Sequence, residues 1–232
     1  MIKESDEVTL FAGDTPIQVH QTDFGDYLEL KRIKDELPVI QQILTDLSED
    51  DVMYDIGANL GVHAAFFGQT GAHVEAVEPI PETAKKARKN LRHNGASGTV
   101  HQFALSDCEQ SVELALKRAH GSASLHRDQE GPLRTIRTQA ITGDQFVKEF
   151  ASLYPTFLKI DVEGHEKEVL RGFRDTFQRH NLTLYCEMHN TLRGPDSVSQ
   201  VRDLLTEWGF IVSIIESRSE QPIIRAKKKI RN

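Results

Sequence analysis

From Val52 onward, short runs of β-branched and other apolar residues alternate with segments of helical periodicity, and this rhythm constrains the fold more than anything else in the chain. Parallel strands need a crossover long enough to hold a helix, so the rhythm predicts a mostly parallel α/β sheet with helices on both faces. Strands are expected at residues 52–56, 73–77, 99–105, 112–116, 133–138, 156–161 and 182–188, with two more at 210–215 and 222–226. Helices are expected at 60–69, 81–94, 143–150, 165–179 and 196–208. Pro81 suits the first turn of its helix, where its missing N–H is not needed. Only residues 216–221 separate the last two strands, too few for a crossover, so these should form an antiparallel hairpin. Ahead of the sheet, 35–47 reads as one amphipathic helix and 8–30 as weakly patterned strands and turns. Residues 1–50 are therefore expected to cap or extend the domain formed by 51–232. Residues 118–132 read as a long polar loop near the site.

A chain of 232 residues with 38% apolar and 27% charged residues suits one globular domain. No stretch approaches the roughly 18 apolar residues of a membrane helix, and the start lacks a basic region followed by an apolar one, so a cytoplasmic location is expected. The formal charge of −7 argues against a nucleic-acid binder, which relies on a field of the opposite sign. Arg225, Lys227, Lys228, Lys229 and Arg231 concentrate positive charge at the end of the chain and read as a solvated, frayed terminus. Cys108 and Cys186, with no partner spacing, read as buried inert thiols.

Chemistry concentrates at strand ends. The first strand runs into Asp55-Ile56-Gly57-Ala58-Asn59-Leu60-Gly61 and then a helix, a strand–glycine turn–helix cradle for a ligand. Glu78 closes the second strand, 23 positions after Asp55, near the spacing at which an acidic residue reaches ribose hydroxyls. Asn59 stands where a dinucleotide fingerprint has its second glycine, and no P-loop occurs, so an adenosyl ligand without pyrophosphate fits better. Asp107, beyond the third strand, is placed to meet an adenine amino group or to cap a turn. The densest run is Lys159-Ile160-Asp161-Val162-Glu163-Gly164-His165-Glu166, where a strand hands over to a helix. Asp161, Glu163 and His165 are candidates for function there, and Glu166 reads as helix capping. On the next strand Glu187 and His189 reach the same edge. These side chains show no recognised metal spacing, so no metal is expected.

These pieces, together with Glu78-Pro79, Ala104-Leu105-Ser106-Asp107, Ser122-Ala123-Ser124-Leu125, Val169-Leu170 and Gly172, resemble the FkbM family of methyltransferases over residues 52 to about 190. The resemblance implies a class I Rossmann-like fold, whose sheet ends in the antiparallel hairpin expected above. It also implies S-adenosylmethionine as donor and, usually, O-methylation of a sugar or other small natural product. By position it implies that Asp55, Gly57, Asn59 and Gly61 shape the methionine end of the cofactor site, while Glu78 holds ribose and Asp107 adenine. Residues 139–144 depart from the family's pattern, and Asp144 is given no site role. A sugar hydroxyl is a weak nucleophile, so a general base is expected: His165, with Glu187 or His189 as substitutes and Asp161 and Glu163 beside it. The competing readings are an RNA or protein methyltransferase on the same fold, and an adenosyl-binding module without turnover.

Overall fold

The computed structural model describes residues 6–116, 123–124, 134–189, 197–218 and 221–228. The chain opens with a hairpin, β1 (Asp6–Ala12) and β2 (Thr15–Gln21), turning at Gly13 with φ +59°. Two helices follow, α1 (Phe24–Ile33) and α2 (Leu37–Asp46). The Asp23 side chain accepts from the Asp26 amide at 2.9 Å and starts α1. The expected strands and turns of 8–30 are met by β1 and β2, but α1 is a helix that reading did not contain. Asp26 and Glu29 are buried with Leu30 and Ile33, so its inward face is half acidic and shows no apolar period.

The main body continues with β3 (Val52–Ile56), α3 (Val62–Gly68), β4 (His73–Val77), α4 (Pro81–His93) and β5 (Gly98–His101). Next come β6 (Ala104–Ser106), β7 (Gln110–Leu116), β8 (Ala123–Ser124), β9 (Arg134–Thr142), α5 (Gly143–Glu149) and β10 (Phe157–Ile160). The chain closes with α6 (Glu166–Gly172), α7 (Arg174–Arg179), β11 (Leu182–Glu187), α8 (Ser197–Glu207), β12 (Ile211–Arg218) and β13 (Gln221–Lys228). Seven strands form the central sheet in the order β12-β13-β11-β10-β3-β4-β5. Its neighbours pair in parallel from β11 through β5, and β13 runs antiparallel between β11 and β12, which is the expected terminal hairpin.

Every residue of β3, β10 and β11 is buried, Asp55, Lys159 and Glu187 included, because these strands are covered on both faces. One face packs Tyr54, Leu158 and Leu184 against Phe146, Phe173 and Phe177; the other packs Met53, Val74 and Tyr185 with α2 and α4. A third cluster joins Leu10, Val19, Leu30 and Ile40 to Leu60, Val62 and Phe66, so the first fifty residues share a core with the glycine turn and α3.

Several expectations need correction. The strand expected at 99–105 divides: β5 edges the main sheet, and β6 joins a four-stranded sheet in the order β6-β9-β7-β8. Between them Phe103 turns to pack its ring near Phe146 and Phe150. The helix expected at 165–179 breaks at Phe173, because the Asp144 carboxylate accepts from the Asp175 and Thr176 amides and caps a new helix, α7. Arg225 is not part of a frayed end: it sits in β13 and donates to Asp46 at 2.7 Å and to the Tyr185 hydroxyl at 3.1 Å. Cys186 is buried as expected, but Cys108 is exposed in the polar turn after β6. Lys229, Arg231 and most of 118–132 lie outside the described residues. No described helix is long and apolar enough to cross a membrane.

Candidate functional site

The carboxyl ends of β3, β4 and β10 open into a cleft of about 890 Å³, walled also by α1 and by Phe103–Leu105. At its floor, Gly57 takes φ +84°; a Cβ there would stand 1.9 Å from the Asp161 carbonyl oxygen, so glycine is required for the ends of β3 and β10 to meet. Gly61, with φ +75°, precedes α3. Between the glycines, Asn59 also adopts a left-handed conformation, φ 49°. Glu78 holds this turn in place: its carboxylate accepts the Asn59 amide at 3.0 Å and the Ile80 amide at 2.8 Å. Burial pushes the Glu78 carboxyl up to about 7 even though both amide bonds pull the other way. Glu78 also faces the cleft, and its remaining lone pairs are available to hydroxyl donors.

The two ends of the cleft differ in chemistry. Ile80, Phe103, Leu105 and Leu114 make one end apolar, suited to a flat ring. The other end collects ionised groups. Lys159 lies 3.5 Å from Asp55 and 3.4 Å from Asp161, all three buried. Burial alone would raise the Asp161 carboxyl, but Lys159, then His189 and Arg32, hold it well below the usual carboxylate range. Arg32 of α1 reaches Glu29 at 3.0 Å, Glu163 at 3.8 Å and Glu36 at 3.9 Å. His63 pairs with Glu36 at 3.1 Å. Glu163 follows β10 with φ 55°, a conformation costly for a residue with a side chain.

The predicted residues divide among these places. Gly57, Asn59, Glu78, Asp161, Glu163 and His165 line the cleft. Asp55 is fully buried behind its floor, and neither of its carboxylate oxygens has a hydrogen bond, Lys159 being the neighbouring cation. His165 belongs to the apolar end, with Nε2 3.0 Å from Ser106 Oγ and Nδ1 3.5 Å from Glu168. Asp107 is exposed and outside the cleft wall. His189 turns Nδ1 to Glu166 at 2.8 Å and Nε2 toward Asp161 and Glu163 at 3.6 and 3.9 Å. Despite burial, the bond to Glu166 and the charge of Asp161 push this imidazole up to about 9. Glu187 opens instead into a neighbouring cavity of about 310 Å³ with Glu36, His63 and Lys159, where burial and Asp161 raise its carboxyl.

The sequence reading missed Glu29, Arg32, Glu36 and His63, and took Glu166 as a cap alone. Glu166 does accept the Gly164 amide at 2.9 Å, and the same oxygen orients His189. Glu29, Arg32 and Glu36 recur at helical spacing, but charged residues so spaced read as a solvated face. His63, two residues past the glycine turn, offered the one local signal.

The cleft fits S-adenosylmethionine. Asp161 and Glu29 of the cleft wall each keep a buried carboxylate oxygen without a hydrogen bond, acceptors for an ammonium, and with Asp55 behind the floor they supply counter-charge for a sulfonium. Glu29, Glu36, Asp55, Asp161 and Glu163 are gathered at this end around Arg32, Lys159 and His189.

Comparison with known proteins agrees. Residues 55–212 match the model of the methyltransferase FkbM domain. The chain is 31% identical to the hexuronic acid methyltransferase AglP of Haloferax volcanii, over 87% of this chain and 82% of that one. It is 26% identical to the 31-O-demethyl-FK506 methyltransferase FkbM of Streptomyces tacrolimicus, over 72% and 75%. Among solved structures, a methyltransferase FkbM from Methylobacillus flagellatus KT superposes with a TM-score of 0.57 at 14% identity, over 88% of this chain and 62% of that longer one. The magnesium protoporphyrin IX methyltransferase ChlM of Synechocystis PCC 6803, solved with bound S-adenosylmethionine, gives 0.55 at 12% identity, over 90% and 86%. At such identities the structures speak for the fold alone, whereas the family match covers more than half of the chain. This protein therefore belongs to the FkbM methyltransferase family, as an S-adenosylmethionine-dependent enzyme of class I Rossmann-like fold.

Proposed function

We propose that the enzyme methylates a hydroxyl oxygen of a sugar or related small molecule. The observation that carries this reading is a cleft with one apolar end, one carboxylate-rich end and Glu78 between them. AglP, the relative named for hexuronic acid, supports a sugar acceptor. In this reading Phe103, Leu105 and Leu114 sandwich the adenine, Asp107 stays at the rim, and Glu78 accepts the ribose hydroxyls. Asp55, Gly57, Asn59 and Gly61 shape the methionine end. The bound cofactor supplies an electrophilic methyl group on a cationic sulfur. The chain's own work is to hold the acceptor oxygen in line and to take its proton. Residues 1–50 serve as the cap over the site, with α1 delivering Glu29 and Arg32 to its wall.

Among the candidate bases, His189 is charged near neutral pH and so is a poor proton acceptor. Glu187 faces the other cavity. His165 sits beside Ser106 at the apolar end. Glu163, beside Arg32 at the carboxylate-rich end, is the base we assign.

Two experiments test the reading. S-adenosylhomocysteine should bind in calorimetric titration and NAD should not, with Glu78→Ala weakening the former; preference for NAD would end the cofactor assignment. Methyl transfer should then be assayed on uronic acids and neutral sugars, with RNA and protein as competing acceptors. With a working acceptor, Glu163→Gln should lower kcat at unchanged S-adenosylhomocysteine affinity. If His165→Ala does so and Glu163→Gln does not, the base is His165.

A further inference from the structure

At the far end of α4 from the Glu78 loop, about 18 Å along the helix, three potential ligands meet on elements that contribute no residue to the cleft lining. Glu7 of β1 and His20 of β2 are directly opposed in the hairpin register, so both side chains stand on one face. His93, in the last turn of α4, completes the group. Glu7 Oε1 lies 3.6 Å from His20 Nδ1 and 3.7 Å from His93 Nε2, and the three ligand atoms all fall within 4.8 Å of one another. His20 Nδ1 is buried and has no hydrogen-bond partner, which is costly for a ring nitrogen unless something else binds it.

We propose that Glu7, His20 and His93 form a binding site for a divalent transition metal, zinc in the first instance, that pins the N-terminal hairpin to α4. Tetrahedral zinc with bonds of about 2.0–2.1 Å spaces its ligand atoms about 3.3 Å apart. The two ligand distances to Glu7 therefore need to close by only a few tenths of an ångström. Two imidazoles and one carboxylate make a borderline donor set, which favours zinc, cobalt or nickel over magnesium or calcium.

The hairpin and helix are already held in register around this point. The Gln18 amide donates to Asn94 Oδ1 at 2.8 Å, Asn94 Nδ2 donates to the Gln18 carbonyl at 2.7 Å, and the His20 amide donates to Asn90 Oδ1 at 3.1 Å. The ligands are thus positioned before any ion arrives. Lys89 stands near the His20 ring, as does Glu7. Lys89 repels a cation, and Glu7 is the charge that offsets it. Glu7 and His93 are partly open to solvent, leaving the remaining position to water or to Gln18 Oε1, now 2.7 Å from His93 Nε2.

The test uses the tag-free full-length protein, stripped with a chelator and titrated with Zn²⁺ and, for its visible d–d bands, with Co²⁺. The expected result is saturation at one equivalent, a raised thermal midpoint, and about tenfold or greater weakening in each of His20→Gln, His93→Gln and Glu7→Gln. Glu7→Gln, at an exposed position, decides the matter if a histidine variant does not fold. Failure of the wild-type protein to saturate, or unchanged affinity in the variants, overturns the proposal. So does displacement of the ion by saturating S-adenosylhomocysteine, which would place it in the carboxylate-rich cleft.

Discussion

Replacing Gly57 with alanine separates two costs that the glycine turn after β3 combines. The residue has φ +84°, and the new Cβ would lie 1.9 Å from the Asp161 carbonyl oxygen and 2.9 Å from its carbon. The left-handed backbone costs an L-residue about 1–2 kcal/mol. The contact cannot be relieved by a rotamer, because the obstacle is the backbone of the next strand. That strand is tied to β3 at this point by the Asp161 amide donating to the Ile56 carbonyl at 3.0 Å. Moving it apart by more than 1 Å adds overpacking and a strained hydrogen bond, about 2–4 kcal/mol. The total, about 4 kcal/mol, is a large share of the 5–15 kcal/mol typical of a domain. Gly95 supplies the control: its φ is +66°, yet nothing lies within 4 Å of its added Cβ, so Gly95→Ala should cost only the conformational part, about 1 kcal/mol. Urea denaturation of both variants measures the difference at constant m-value, and S-adenosylhomocysteine titration reports the cradle. If Gly57→Ala costs no more than Gly95→Ala, the close approach of the strands at Asp161 is not what demands glycine there.

Three further outcomes are expected. Glu78, raised to about 7 chiefly by burial, is half protonated near neutral pH, and the ionised form is the one that accepts both ribose hydroxyls. Affinity for S-adenosylhomocysteine should therefore rise between about pH 6 and 8, and Glu78→Gln should lose that slope and bind about 10- to 100-fold more weakly; a flat profile in the parent enzyme would remove Glu78 from ribose binding. Glu75 is buried at the centre of β4, where desolvation opposes its charge but His101, the Ser152 amide and His73 hold its carboxyl down to about 2. Its contribution is full above the ordinary 4.5 and is lost as pH falls through about 2, so Glu75→Gln should cost on the order of 2 kcal/mol near neutral pH, about half of that near pH 3 and little only below pH 2, by chemical denaturation. Arg225→Ala breaks the exposed pair with Asp46 and should change stability by about 1 kcal/mol or less; a loss of several would mean that the β13–α2 contact is a structural keystone.

The order of strands and helices, the terminal hairpin and the chemistry-bearing strand ends were legible in the sequence because they are local or periodic. Gly57, Gly61, Glu78 and Asp161 each announce themselves by position: a glycine at a strand-to-helix turn, an acidic residue closing the next strand, a carboxylate where β10 ends. Helix α1 was not legible, since Asp26 and Glu29 occupy its buried face, where Asp26 meets Lys86 of α4 and Glu29 meets Arg32 one turn on. The break at Phe173 was hidden for the same reason, its cap coming from Asp144 about thirty residues earlier. The choice among His165, Glu163, Glu187 and His189 was equally beyond the sequence. All four lie at the same sheet edge in one dimension, but Ser106 draws His165 toward the apolar end, Glu166 fixes His189, and Glu187 turns to another cavity. The sequence by itself determined most of the elements and where the glycine turn must lie, because propensity, period and glycine geometry act over a few residues. Tertiary structure alone decided which charges share a buried space, because electrostatics and burial depend on neighbours that the chain brings together from a hundred residues apart.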